Sequence, residues 1–345
     1  MRGRRTSFPR SCTYMVIRTP ASLIDRHLTE LAAIVPAVRT ADVDAVHRAR
    51  VSTRRLREVA PFAADDMAKA GKSQARDVGR ALGDVRELDV ADAMLQRLQV
   101  RARFANDLIG DLRRVVASEQ RSARRAMVKV VEAFDPASLR ERAGRAQRVN
   151  GRFDRSWIPA LRERIRERAD AAMAALQRAD AFYMPGRSHA ARIAIKKLRY
   201  ATEIAVETGL WQPRKLQRDL HRSQELLGDI HDTQVLVERV RRHRADSESH
   251  TREADWLLDL LHADIESWHA RFLERVPRLH DAAGACAQWA VRGQRSWRRR
   301  FAGVFPLVAA SAVVVPPLLD ALGERAQRDG ESRLRQFALR PAERS

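Results

Sequence analysis

Cysteine is nearly absent: Cys12 and Cys286 are the only two in 345 residues. They provide no disulfide framework, no Cys-x-x-Cys and no zinc spacing. Two inert thiols in a reducing compartment are expected. Aromatic residues make up 6% of the chain, which argues against a sheet-rich fold. No segment alternates apolar and polar residues over a strand's length. The catalytic signatures are missing as well: no His-Glu-x-x-His, no Gly-x-Ser-x-Gly, no Walker A loop and no Gly-x-Gly-x-x-Gly. Arg4-Arg5 is not followed by the apolar run that a secretory signal requires, and Met15 is an alternative start to Met1. Acid is in short supply: 44 Asp and Glu face 65 Lys and Arg, a formal net charge of +21.

Such an excess attracts polyanions, whether nucleic acid, inorganic polyphosphate or an anionic membrane surface. The hydrophobic content of 45% is enough for a real core. Alanine, arginine, leucine and glutamate dominate and favour helix. Leu23, Ile24, Leu28, Leu31 and Ile34 have helical spacing, which Pro36 is expected to interrupt. Further helices are expected over about 43–60, 72–100, 104–133, 157–180, 187–208, 213–244 and 253–275, that over 43–60 beginning at a cap on Asp42 or Asp44 and that over 187–208 ending at Gly209.

The chain is organised around His47-Arg48-Ala49-Arg50-Val51-Ser52-Thr53-Arg54-Arg55-Leu56-Arg57. The same order returns 142 positions later as His189-Ala190-Ala191-Arg192-Ile193-Ala194-Ile195-Lys196-Lys197-Leu198-Arg199. On a helix, His47, Arg50, Arg54 and Arg57 fall within an arc of about 80°, and so do His189, Arg192, Lys196 and Arg199. Leu56 and Leu198 point the other way. Like charges at i,i+4 cost roughly 0.2–0.5 kcal/mol per pair, so two such stripes in one chain point to use rather than to a solvated face. A second element follows each stripe: Leu82-Gly83-Asp84-Val85-Arg86-Glu87 and Leu227-Gly228-Asp229-Ile230-His231-Asp232, 145 positions apart. The near-constant offset indicates duplication of a large unit. The expected fold is all-α, two related helical-bundle halves with an internal pseudo-twofold repeat.

These paired motifs resemble the CHAD family, the conserved-histidine α-helical domain, over roughly residues 21–282. The resemblance implies binding of inorganic polyphosphate on basic residues of the repeated helices. Carried onto this sequence, the candidates are His47, Arg50, Arg54, Arg55 and Arg57, with His189, Arg192, Lys196, Lys197 and Arg199. Arg55 and Lys197 lie about 80° from the histidines, on the other edge of the stripe. Helical spacing offers Arg76, Arg80, Arg218, His221 and Arg222 as a second wall. If the histidines contact phosphate, affinity rises as pH falls through about 6.5. The Glu-x-Glu-x-Lys motif of the triphosphate-tunnel domain that sometimes accompanies this family is missing. The expectation is therefore a stand-alone, non-catalytic module without metal or cofactor, cytoplasmic and recruited to polyphosphate granules. The sequence departs from the family pattern at Glu87, Thr233 and Gln234.

Two other readings stay open. A nucleic-acid binder explains +21 equally well, although no helix-turn-helix or zinc finger is present. A phosphoanhydride hydrolase would hold a metal on Asp84, Asp89, Asp229 or Asp232, where ion pairing to nearby arginines is the simpler account. Gly83 and Gly228 suit close helix–helix approach. The expected order is a basic leader over 1–20, the two repeats over about 21–150 and 155–282, and an extension over 283–345. In that extension Phe301–Leu319 has no charged residue and follows Arg298-Arg299-Arg300. Its prolines favour a core-docked or partner-binding segment over a membrane span. Oligomeric state is not legible.

Overall fold

The computed structural model describes residues 18–63, 65–147, 157–179, 182–246 and 249–301. The leader up to residue 17 and all of the 301–319 segment past Phe301 lie outside them. Ten α-helices and two short 3-10 turns make up the described chain, with no strand among the described residues. They are α1 (Pro20–Arg39), α2 (Val43–Val59), α3 (Asp65–Arg101), α4 (Asn106–Glu132), α5 (Pro136–Gln147), α6 (Trp157–Gln177), α7 (Pro185–Glu207), α8 (Arg214–Asp246), α9 (Thr251–Leu273) and α10 (Val276–Phe301). None is long and apolar enough to cross a membrane.

Local chemistry accounts for the ends of the site-bearing helices. Asp42 caps α2: the Ala45 backbone N–H donates to its carboxylate at 2.7 Å. Pro185 opens α7, where its missing N–H costs nothing. Gly209, at φ 77°, turns the chain out of α7. Asp42→Ala is expected to cost about 1 kcal/mol, read by urea denaturation, without altering ligand affinity.

Two expectations about local structure need correction. α1 runs through Pro36. Only one backbone donor is lost in its final turn, and buried Val38 beyond it holds that turn against the core. Gly83 and Gly228 do not mark close approach either: a Cβ on either would meet nothing within 4 Å. It is Gly79 that faces a neighbour, with Thr53 Oγ1 3.4 Å from the position of an added Cβ.

Packing proceeds along the chain. α1 packs on α2, α2 on α3 and α3 on α4; α6, α7, α8 and α9 follow in the same manner. Across these two series α2 meets α7 and α3 meets α8. Leu56 and Leu198 are fully buried and belong to one continuous core that draws on both series. A smaller cluster, with Leu31, Val46, Leu82 and Met127, fills the space among α1–α4. α10 was not foreseen: Ala283, Cys286 and Ala290 bury their small side chains in the main core, so the helix continues past the expected boundary at 282. Trp289 of α10 stacks on Trp211 at 4.7 Å, and the Arg162 guanidinium lies 4.1 Å from the Trp289 ring centre. Cys286 is buried and its thiol is pushed up to about 12, which leaves it unreactive.

Candidate functional site

The contact of α2 with α7 turns the two stripes toward one another. Arg50 and Arg54 of α2 come within electrostatic reach of Arg192 and Lys196 of α7. Tyr200, buried one turn after Lys196, accepts a hydrogen bond from Arg54 Nη1 at 2.9 Å. The same hydroxyl also lies close enough to influence Arg50 and Arg192.

The electrostatic consequence is large. Lys196 is pulled down to about 7, first by burial and then by Arg54, Arg192, Arg50 and Arg57. Arg50 falls to about 10 through burial, with Arg54 the next cause. Cations held this close, with too few carboxylates to balance them, destabilise one another, and an arriving anion relieves the repulsion.

The repeated Leu-Gly-Asp words supply the flanks. Arg86 on α3 is felt by His47 and Arg50. His231, at the matching place on α8, lies with its ring centre 5.8 Å from that of His189. Burial, followed by Arg192 and His189, pulls His231 down to about 4. His47 and His189 are lowered below 6.5 by burial and then by their basic neighbours. All three imidazoles are therefore neutral at physiological pH. Glu87 and Asp232 face Arg192 from the same two flanks. Asp232 is nonetheless raised above the usual carboxylate range, because burial outweighs the attraction of Arg192.

Of the ten stripe candidates, seven come together: His47, Arg50, Arg54, Arg57, His189, Arg192 and Lys196. Three do not. Arg55 points to Glu207 at 3.6 Å and Glu203 at 3.9 Å. Arg199 pairs with Glu203 at 3.3 Å. Lys197 is exposed. The acids that take Arg55 and Arg199 belong to a network reaching α1, where His27 Nε2 lies 3.2 Å from Glu207 Oε2 and Arg26 also donates to that oxygen.

The expected second wall lies on the right helices at the wrong height. Arg76, Arg80, Arg218 and Arg222 are exposed, and His221 pairs with Glu225 at 3.4 Å. Arg86 and His231 stand against the stripes instead. They were readable as the basic member of each repeated word, and Tyr200 as the next i+4 position after Lys196.

Of the carboxylates weighed as metal ligands, Asp229 and Asp232 stand one turn apart on α8, while Asp89 is engaged elsewhere. Asp89 accepts from Gln120 at 3.1 Å and Arg124 at 3.2 Å on α4. Its counterpart Gln234 accepts instead from the Tyr183 hydroxyl at 2.7 Å. The departure at that position thus serves a different local packing. Among the described residues no three His, Cys, Asp or Glu side chains are grouped to hold a metal ion.

The CHAD domain profile matches residues 22–241. The crystal structure of the CHAD domain from the plant Ricinus communis has a TM-score of 0.57 with this chain at 18% identity, covering 82% of this chain and 98% of that one. PptA from Streptomyces chartreusis gives a TM-score of 0.46 at 15% identity, covering 79% and 98%. No curated protein sequence matches the chain.

Proposed function

Because this chain belongs to the CHAD domain family, we propose that it binds inorganic polyphosphate along the cation file formed by α2 and α7, without turnover. The observation that supports this reading most is the state of Lys196, held near 7 among four arginines. A fold that tolerates such repulsion is built for a partner that brings negative charge at closely repeated intervals. Arg50, Arg54 and Arg192 offer planar donor forks to phosphate oxygens, and Lys196 a mobile point charge. A linear chain of phosphates fits donors spaced one helical turn apart, and the 142-residue offset of the two files supports their origin in a duplicated unit. Recruitment to polyphosphate granules follows from this reading.

Competition tests it. Labelled long-chain polyphosphate should bind the full chain and resist displacement by duplex DNA and single-stranded RNA at equal phosphate concentration. Displacement by either nucleic acid at a low excess favours the nucleic-acid reading. Magnesium-dependent release of orthophosphate, lost in Asp229→Asn, would replace binding with hydrolysis.

The reading also fixes a pH response. A bound phosphate raises the Lys196 pKa above its free value, so the protein binds best with the lysine protonated. Affinity is highest below about 7 and falls as pH rises through that value. The expected loss between pH 6.5 and 8.5 is about tenfold, and Lys196→Arg, charged throughout, should abolish it. The histidine contribution lies lower still, because all three imidazoles are depressed. A flat profile in the wild type would remove Lys196 from the site.

A further inference from the structure

Beside the cation file, α3, α8 and α9 border a half-open cavity of about 410 Å³. Its walls are apolar: Met94 and Leu98 from α3, Leu261 and Trp268 from α9. Two carboxylates one turn apart on α8, Asp229 and Asp232, line it as well. Arg101 and Asp264 also border it, and they satisfy one another through two parallel hydrogen bonds of 2.5 and 2.8 Å. Asp229 and Asp232 have no hydrogen-bonded partner of this kind among the described residues; Arg97 and Arg271 attract Asp229 and Arg192 attracts Asp232, yet partial burial raises both above the usual carboxylate range.

Asp232 belongs to two environments at once. It lines the cavity, and it lies within electrostatic reach of Arg192, Arg50 and Arg86. The cavity therefore adjoins the cation file at Asp232. An inorganic phosphate chain has no use for it, since apolar walls cannot solvate its charge and two carboxylates repel it. A free organic cation fits poorly too, because Arg97 and Arg101 stand at its edge. A flat ring with amino groups on its rim meets the requirements. Its faces lie against Trp268, Met94 and Leu98, and its N–H donors reach carboxylate acceptors.

We propose that this cavity receives the purine ring of a nucleoside oligophosphate whose phosphates lie on Arg50 and Arg192. The inference rests on the phosphate-binding reading above and adds a class of ligand to it. The volume lies within the usual range for small-molecule sites. Guanine suits the acceptors best, because two adjacent N–H donors on one edge match the two oxygens of a carboxylate. The cation file supplies most of the affinity, and the cavity separates nucleotides from bare phosphate chains.

The test compares GTP with inorganic tripolyphosphate, ligands of similar charge, by calorimetry on the full chain. GTP should bind at least about tenfold tighter. Met94→Trp, which fills the cavity from a half-buried position, should bring GTP to the level of tripolyphosphate and leave tripolyphosphate unchanged. Asp229→Leu should do the same from an exposed position that does not threaten the fold. Equal affinity for the two ligands in the wild type overturns the inference and leaves the phosphate site standing. A preference for GTP that survives both substitutions overturns it as well. If neither ligand binds the wild type, the phosphate-binding reading falls and this inference with it.

Discussion

Arg50→Glu/Arg192→Glu loses at least about 100-fold in polyphosphate affinity, equivalent to about 2.7 kcal/mol, and remains folded. Both residues lie at the centre of the cation file, one on each helix, and each is within reach of the other. Reversing them replaces two phosphate donors with two carboxylates that repel the ligand. The same change relieves the repulsion of Arg50 by Arg54 but gives up the attraction of Arg192 for Asp232 and Glu87. An unchanged helical spectrum of the variant is therefore the control that separates lost binding from lost structure. Lys197→Glu provides the control: it is exposed one residue from Lys196, and its affinity should change by less than about threefold. Circular dichroism and a binding isotherm check all three proteins. Wild-type affinity in the double variant would mean that the stripes are merely solvated.

Raising monovalent salt tenfold, from about 50 to about 500 mM, lowers affinity roughly 1,000-fold. Each neutralised phosphate releases condensed counterions, and a flexible single chain loses about 0.7 logarithmic units per contact and decade of salt. About four contacts, from Arg50, Arg54, Arg192 and Lys196, give a slope near −3. Removing one of them should lower the slope by about 0.7, so Arg54→Gln tests the count as well as the sign. Ion pairs outside the file, such as Arg101 with Asp264, should leave the slope alone. A slope near zero would mean that binding is not electrostatic, and the cation file would then need another explanation.

The stripes were legible because a 3.6-residue period places His47, Arg50, Arg54 and Arg57 on one face wherever the helix lies. What that face meets depends on the contact of α2 with α7, which no local pattern encodes. Arg55 shows the limit. Its spacing puts it at the stripe's edge, yet Glu203 and Glu207, about 150 positions downstream, claim it. The second wall failed for a related reason. Helix identity could be read, but the axial register of α3 against α2 and of α8 against α7 could not. Side chains about two and about three turns away, Arg86 and His231, therefore took the places assigned to Arg80 and His221. Gly83 and Gly228 misled because glycine in a helix usually signals contact, and here it faces open space. α10 was missed although its sequence is amphipathic: Leu279, Ala283, Cys286 and Ala290 recur at helical spacing on its buried face. The cavity has no signature at all, since α9 meets α3 through the packing of α8 and the distant pair Arg101–Asp264.

The ionic network at Glu207 also sets an order of events during synthesis. Arg26 and His27 of α1 find their acidic partner 181 and 180 residues later. At about 5–20 residues per second on the ribosome, roughly ten to forty seconds pass between the two. During that interval α1 can pack on α2, with Glu30 present of the two acids that pair with Arg26 and His27 and Glu207 still to come. The nascent chain thus presents an unfinished basic surface to the cell's polyanions before α7 arrives to complete and neutralise its far side.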